Sequence, residues 1–269
     1  MFESFFPRPK VFFLSVLAYA AVAVGIWYGA GDDIGRMLGF DIPLEKGEPV
    51  IGLGFFITSK FLWFYLYFTL ASVMFWAVWQ RIAPHKWHLW SILGSAVILF
   101  TTYFGVQVSV AINHWRRPFG DLLQNALTGE EGITVGDFYD LMLTFAEIAF
   151  MTVAFFTLTR FFVSHYVFRW RHAMNDYYTG QWSRVRHVEG ASQRVQEDTQ
   201  RFASIVEGLG VSIVEAIMTL FAFLPILWEL SQYVTVLPIV GEIPAPLMSA
   251  VIFWSLLGTA IMVIFGIKL

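Results

Sequence analysis

Glutamate side chains recur at helical spacing through the second half of this chain. If residues 189–229 form one helix that turns by about 100° per residue, five glutamates fall within a sector of about 80°: Glu189, Glu197, Glu207, Glu215 and Glu229. A desolvated carboxyl group has a raised pKa and exchanges its proton near neutral pH. A row of such groups can relay protons, and its negative field can also attract cationic cargo.

Two acidic residues lie well inside apolar runs of the sequence, whereas Glu229 lies at the end of one. Glu215 is in the run 209–230, and Glu147, outside the row, is in the run 141–163. An ionisable residue at membrane depth costs a few kcal/mol and normally faces a water-filled cavity or a partner. We therefore count Glu147 and Glu215 with Glu189, Glu197 and Glu207 as candidate proton-coupling residues.

Two plainer interpretations of the glutamates stay open. Glu189 and Glu197 can form the solvated face of a long helix, without any part in proton transfer. The carboxylates can also belong to a structural ion-pair network with nearby arginines, namely Arg184, Arg186, Arg194 and Arg201. Gln193 and Gln196 fall on or near the glutamate side of the helix, whereas Asp198 falls on the opposite side.

Signatures of other chemistry are missing from the sequence. It contains neither the G-x-x-x-x-G-K-[ST] loop that binds ATP phosphates nor G-x-G-x-x-G. No pair of histidines four residues apart encloses an acid, and there is no cysteine. We predict no catalytic residues, no metal or other cofactor, no ATP-binding site in this chain and no nucleic-acid partner.

The composition is that of a membrane protein. The chain is 57% hydrophobic and 14% charged, with a mean hydropathy of +0.63, whereas a soluble domain carries about 25% charge. Six apolar runs are long enough to cross a bilayer as helices: 11–28, 61–79, 90–112, 141–163, 209–230 and 247–269. We predict an all-α polytopic bundle that forms a single transmembrane domain over residues 1–269.

The segments between these runs differ in character. Residues 29–60 are predicted to form an irregular acidic loop, and residues 119–127 a short interfacial helix. Thr134 and Asp137 have the spacing of a helix start. With six spans, 12 of the 17 Lys and Arg residues fall on the side of the N-terminus, which is therefore predicted to be cytoplasmic. Residues 160–207, the polar segment, carry seven of these basic residues and lie on that side.

Two stretches of the polar segment carry a family resemblance. FFVSHYVFRWRHAMNDYY ends in Tyr177 and Tyr178, and RHVEGASQRVQEDTQRFAS contains Gln193, Arg194 and Gln196. Together with the opening MFESFFPRPKVFFLS, they resemble the SbmA/BacA peptide-antibiotic transporters of bacterial inner membranes. The YY and QR–ED elements are more weakly similar to the membrane domains of ABC transporters of fatty-acyl substrates.

The resemblance implies a fold and a function. It implies a homodimer whose fold is similar to the membrane domain of an ABC exporter without a nucleotide-binding domain. It also implies import of antimicrobial peptides, peptide-derived antibiotics and bleomycin, driven by the proton gradient through a ladder of glutamates. By motif match, Glu189, Glu197 and Glu207 belong to that ladder, while the assignment of Glu147 and Glu215 depends on their positions in apolar runs.

The family's sequences continue well past the point that matches the end of this chain. We therefore expect the C-terminal family region to be absent from it. Alternatives to a transporter are a membrane subunit that recruits an ATPase or a lipid-modifying partner, and a truncated form that does not transport.

Overall fold

The computed structural model describes residues 1–44, 47–129, 132–234, 236–237, 241–243 and 245–266. Its α-helices are α1 (Pro9–Met37), α2 (Ser59–Ile82), α3 (Ser95–Thr128), α4 (Val135–Gly180), α5 (Trp182–Val185), α6 (Ala191–Gln193), α7 (Thr199–Leu230) and α8 (Pro246–Gly266). Strands β1 (Val236–Leu237) and β2 (Gly241–Glu242) form a short antiparallel pair. The predicted all-α fold class is confirmed.

Short turns of other helix types complete the regular structure. Phe2–Ser4 and Leu53–Ile57 are 3-10 helical. Leu89–Gly94 is a π-helical turn that leads into α3, and Arg194–Asp198 is another that joins α6 to α7.

Among the described residues, six helical stretches are long and apolar enough to cross a membrane, as predicted. Each predicted run falls within one of them, except that residues 267–269 of the last run lie outside the described residues. The longest helix is α4, with 46 residues, which gives it a length of about 70 Å. Because a bilayer's hydrocarbon core is about 30 Å thick, the second half of α4 and its part of the polar segment extend beyond it.

The predicted irregular loop 29–60 is wrong at its beginning, because α1 continues to Met37. Contacts with α2 hold this extension in place. The Trp63 indole Nε1 donates a hydrogen bond to the Gly31 carbonyl at 2.8 Å, and Lys60 forms an ion pair with Asp32 at 3.0 Å. These contacts are tertiary, so the local sequence of α1 does not reveal them.

Residues 119–127 are helical as predicted, but they do not form a separate short helix, because α3 passes through Pro118 and continues to Thr128. The Trp115 ring stacks on Phe119 at 4.6 Å, and its indole Nε1 donates to the Leu141 carbonyl of α4 at 2.8 Å. The predicted start of α4 is confirmed. The Thr134 side-chain oxygen accepts a hydrogen bond from the Asp137 backbone N–H, and the Asp137 carboxylate accepts one from the Thr134 backbone N–H.

The described chain divides into two compact units, Met1–Val214 and Glu215–Leu269. The single transmembrane domain remains a prediction. In the first unit, an aromatic cluster joins the N-terminus, the turn after α2 and the second half of α4. Phe5, which is fully buried, stacks on Trp170 at 5.5 Å and lies 6.2 Å from Trp87. These three segments therefore lie at the same end of the unit, as an alternating six-span topology requires.

Candidate functional site

The predicted single helix over residues 189–229 is wrong at its beginning. Glu189 lies in a turn before Gly190, whose φ is 70°, and helical structure starts only at Ala191. The π-helical turn Arg194–Asp198 follows. Because a π turn holds more residues than an α turn, the rotation of 100° per residue does not apply across it. Glu189 therefore does not share a helix face with Glu207.

The five candidate glutamates differ in exposure. Glu207 is half-buried, whereas Glu147, Glu189, Glu197 and Glu215 are exposed. Glu207 lies one turn after Ala203, which is fully buried in the aromatic cluster. Glu207 thus marks the edge of the aromatic cluster, whereas Glu215 belongs to the second unit.

None of these five glutamates forms an ion pair with another residue of the described chain. The ion pairs there involve Asp32, Asp33 and Asp176 instead. The structural network with Arg184, Arg186, Arg194 and Arg201 is therefore not formed among the described residues.

The polar residues suggested by the family motifs occupy two environments. Tyr177 and Tyr178 are half-buried with their rings edge to face at 5.5 Å, and Tyr178 packs against the aromatic cluster. Gln193 and Arg194 are exposed. Gln196 is exposed as well, and it lines a cavity.

This cavity, which we call the Arg171 cavity, has a volume of about 610 Å³ and lies between α4, α5 and the start of α7. The lining residues of α4 recur at helical spacing and form one wall. The other wall is formed by α6, the π-helical turn and the start of α7. The lining residues are Phe168, Arg171, His172, Asn175, Thr179, Trp182, Ser192, Val195, Gln196 and Thr199. Of these residues, only Gln196 was predicted from the sequence. The spacing of four between Arg171, Asn175 and Thr179 was the available signal.

Charged contacts fix the position of α4 beside the turn that follows α2. Lys86 binds the Asp176 carboxylate at 2.8 Å, and the His172 Nε2 atom lies 3.6 Å from the same carboxylate. The His172 ring also meets Trp87 edge to face at 5.6 Å. His172 and Asp176 are therefore engaged with this turn, which leaves Arg171 as the cation without an ion-pair partner in the described part of the cavity wall.

The turn itself contains two histidines outside the membrane-spanning helices. The buried His88 ring places Nδ1 at 2.7 Å from the Gln80 side-chain oxygen, and His85 Nδ1 accepts from the Trp87 backbone N–H at 3.2 Å. Burial lowers the pKa of both histidines. Among the described residues, no three His, Asp or Glu side chains are grouped as metal ligands.

Comparison with known sequences assigns this arrangement to a family. A match to the SbmA/BacA-like family covers residues 84–269, which include the whole Arg171 cavity and all five candidate glutamates. The chain belongs to the SbmA/BacA-like family. With its six apolar helices, it is a multi-pass membrane protein.

A more distant similarity links the chain to ABC transporters. It is 21% identical over 187 residues to an uncharacterized ABC transporter ATP-binding protein from Haemophilus influenzae. The alignment covers 66% of this chain but only 30% of that protein. The chain thus spans less than a third of this relative's length.

Proposed function

We propose that this SbmA/BacA-like protein imports peptides and peptide-derived antibiotics, such as antimicrobial peptides and bleomycin-like compounds, across the bacterial inner membrane. The proton gradient drives the import, and the chain uses no cofactor and catalyses no chemical conversion. Family membership supports the transport of peptides. The observation that carries the proton coupling is the half-buried Glu207, which has no ion-pair partner among the described residues.

The proposed mechanism uses the two charge states of the carboxylates. Protons from the outer side reach Glu207 and the other candidate glutamates through a water-filled path. Their protonation removes the charge of the carboxylates and the cost of moving them into an apolar environment. The protonated state favours the conformation that releases the peptide inside. Loss of the protons to the cytoplasm restores the charged, outward-facing state.

Uptake by liposomes tests the energy source. Purified protein is reconstituted without ATP, and entry of a labelled antimicrobial peptide is followed under an imposed inward proton gradient. We expect uptake that stops when a protonophore collapses the gradient. Uptake that is indifferent to the protonophore would contradict the proposal.

A second candidate function is a membrane subunit that works with an ATPase. The similarity to the ABC transporter ATP-binding protein of Haemophilus influenzae favours it. In cells, import that survives ATP depletion but stops with an uncoupler supports the proton-driven importer. The opposite pattern supports the ATPase-linked subunit.

We also propose that the protein works as a homodimer with a cytoplasmic N-terminus. No residue in the most apolar part of α8 is buried among the described residues, and such a surface suits contact with lipid or with another subunit. A second copy would supply a further wall for a water-filled path. Light scattering of the detergent-solubilised protein should give twice the chain mass, and a monomer that still transports in liposomes would contradict the dimer.

A further inference from the structure

The Arg171 cavity combines a cationic side chain that has no ion-pair partner among the described residues with neutral hydrogen-bond donors. The Arg171 guanidinium has no hydrogen bond or ion pair with another described residue, whereas neighbouring His172 lies beside Asp176. Asn175 and Gln196 add amide N–H groups, and no carboxylate from the described residues lines the cavity. Its volume of about 610 Å³ lies within the range of about 300–1,000 Å³ typical of small-molecule sites.

The opposite wall of the cavity contains an irregularity that points to a ligand. Val195 and Gln196 belong to the π-helical turn Arg194–Asp198. π-Helical turns inside helices are rare and occur frequently at functional sites. The Thr199 hydroxyl donates to the Val195 carbonyl at 2.6 Å, which satisfies this carbonyl where the helix changes type. The widened turn brings Gln196 to the cavity opposite the α4 wall.

The apolar part of the wall is aromatic. Trp182 on α5 and Phe168 on α4 line the cavity together with the polar groups. A ligand that satisfies both parts carries one negative charge next to an apolar or aromatic side chain. The terminal residue of a peptide has this combination in its free carboxylate and its side chain.

We propose that the Arg171 cavity binds the C-terminal residue of a peptide, with Arg171 and the amides of Asn175 and Gln196 on the carboxylate and Trp182 against the side chain. The proposal rests on the proposed function, since it names the part of the cargo that this protein recognises. The planar Arg guanidinium binds carboxylates through two parallel hydrogen bonds. A free phosphate would be held by one uncommitted cation and would leave the aromatic wall unused.

Binding of a matched peptide pair tests this site. The probes are fluorescein-labelled Gly-Ala-Ala-Ala-Phe with a free C-terminal carboxylate and the same peptide with a C-terminal amide. Fluorescence anisotropy reports their binding to the protein in lipid nanodiscs. We expect the amide to bind about tenfold more weakly, since it loses the charge-assisted hydrogen bonds. Arg171→Gln should reduce binding of the free carboxylate to the level of the amide.

The matched control is Arg184→Gln, since Arg184 is exposed in the same segment but does not line the cavity. This variant should keep the preference for the carboxylate. Arg171→Lys, which keeps the charge but not the paired hydrogen bonds, should give intermediate binding. If Arg171→Gln does not fold, the site is tested by comparing the binding of the two peptides to the unmodified protein and to Arg171→Lys.

Three results would overturn the site. They are equal binding of the two peptides, a preference that persists in Arg171→Gln, and displacement of the peptide by an equal concentration of inorganic phosphate. Uptake of both peptides into liposomes separates this proposal from the transport function. Proton-driven uptake without any preference for the carboxylate in binding would contradict the proposed site but support the proposed transport function. Carboxylate-selective binding without proton-driven uptake would support the site but contradict proton-driven transport.

Discussion

At the residue scale, Glu207 and Glu197 differ in a way that the spacing of the sequence did not predict. Glu207 is half-buried at the edge of the aromatic cluster, and Glu197 is exposed within the π-helical turn. A carboxylate that is partly removed from water gains more from neutralisation than an exposed one. Glu207 is therefore the stronger candidate for proton uptake, and the solvated-face interpretation remains open for Glu197.

Replacement of these carboxylates by amides tests their roles. An amide has nearly the same shape but cannot take up and release a proton at physiological pH. We expect Glu207→Gln to reduce peptide uptake at least tenfold. If both glutamates act in one relay, Glu197→Gln should abolish uptake as well. Both variants should be expressed and assembled normally. Asp198→Asn, next to Glu197, is the matched control and should be milder. Normal uptake in both Gln variants would move the coupling site elsewhere.

His88 provides a pH-sensitive contact in the turn after α2. Its side chain is 2% exposed, and the Gln80 oxygen can only accept, so Nδ1 carries the hydrogen. The buried Nε2 has no partner among the described residues. A second proton on the ring would place a charge in a site removed from water and near His85. These two effects lower the pKa of His88 and outweigh the opposing hydrogen bond with the Ala83 backbone.

The direction of the resulting pH dependence follows from linkage. Because the pKa of His88 is lower in the folded state than its ordinary value of 6.5, the unfolded state binds more protons below that pH. Stability is then full above about pH 6.5 and decreases as the pH falls below it. We expect the apparent melting temperature in detergent to drop from pH 7.5 to 5.5, and His88→Asn to reduce this drop. The same drop in the variant would exclude His88 as its source.

At the element scale, the C-terminal extension of α1 depends on close packing at Gly35. A Cβ atom there would lie 2.5 Å from the Ile42 Cδ1 atom and 2.8 Å from the Trp63 Cδ1 atom. Gly25 lies on the same helix with open space around its Cβ position. The two glycines therefore form a matched pair for mutation.

We expect Gly35→Ala to destabilise the protein by about 1–3 kcal/mol, as overpacking of a well-packed site does. Gly25→Ala should be neutral or slightly stabilising, since alanine is the better helix former. Thermal unfolding in detergent, followed by tryptophan fluorescence, measures both. A Gly35→Ala variant as stable as Gly25→Ala would show that α1 and α2 are not closely packed at this position.

The sequence was informative about elements where the signal is local. The six apolar runs and the capping residues Thr134 and Asp137 each form the predicted structure. The extension of α1 depends on Trp63, which is distant in sequence, and could not be found this way. No local sequence rule reveals the π-helical turn Arg194–Asp198. The prediction that the glutamates share one helix face therefore assumed a continuous α-helix across it. Gln196 was found, but its partners on α4 required the tertiary structure.

At the scale of the whole molecule, the orientation in the membrane is testable by labelling. The sequence contains no cysteine, so single-cysteine variants need no further changes. Thr128 at the end of α3 and Ser183 in α5 are both exposed and are predicted on opposite sides of the membrane. An impermeant maleimide should label Thr128→Cys in intact spheroplasts, and Ser183→Cys only after permeabilisation. The reverse pattern would invert the proposed orientation.

Proton-driven import requires that peptide and protons move together, and an internal pH indicator measures this coupling directly. In liposomes with an inward proton gradient and no ATP, addition of external peptide should accelerate internal acidification above the peptide-free rate. Glu207→Gln should abolish this acceleration. Peptide accumulation inside wild-type liposomes without any acceleration of acidification would contradict proton-coupled import.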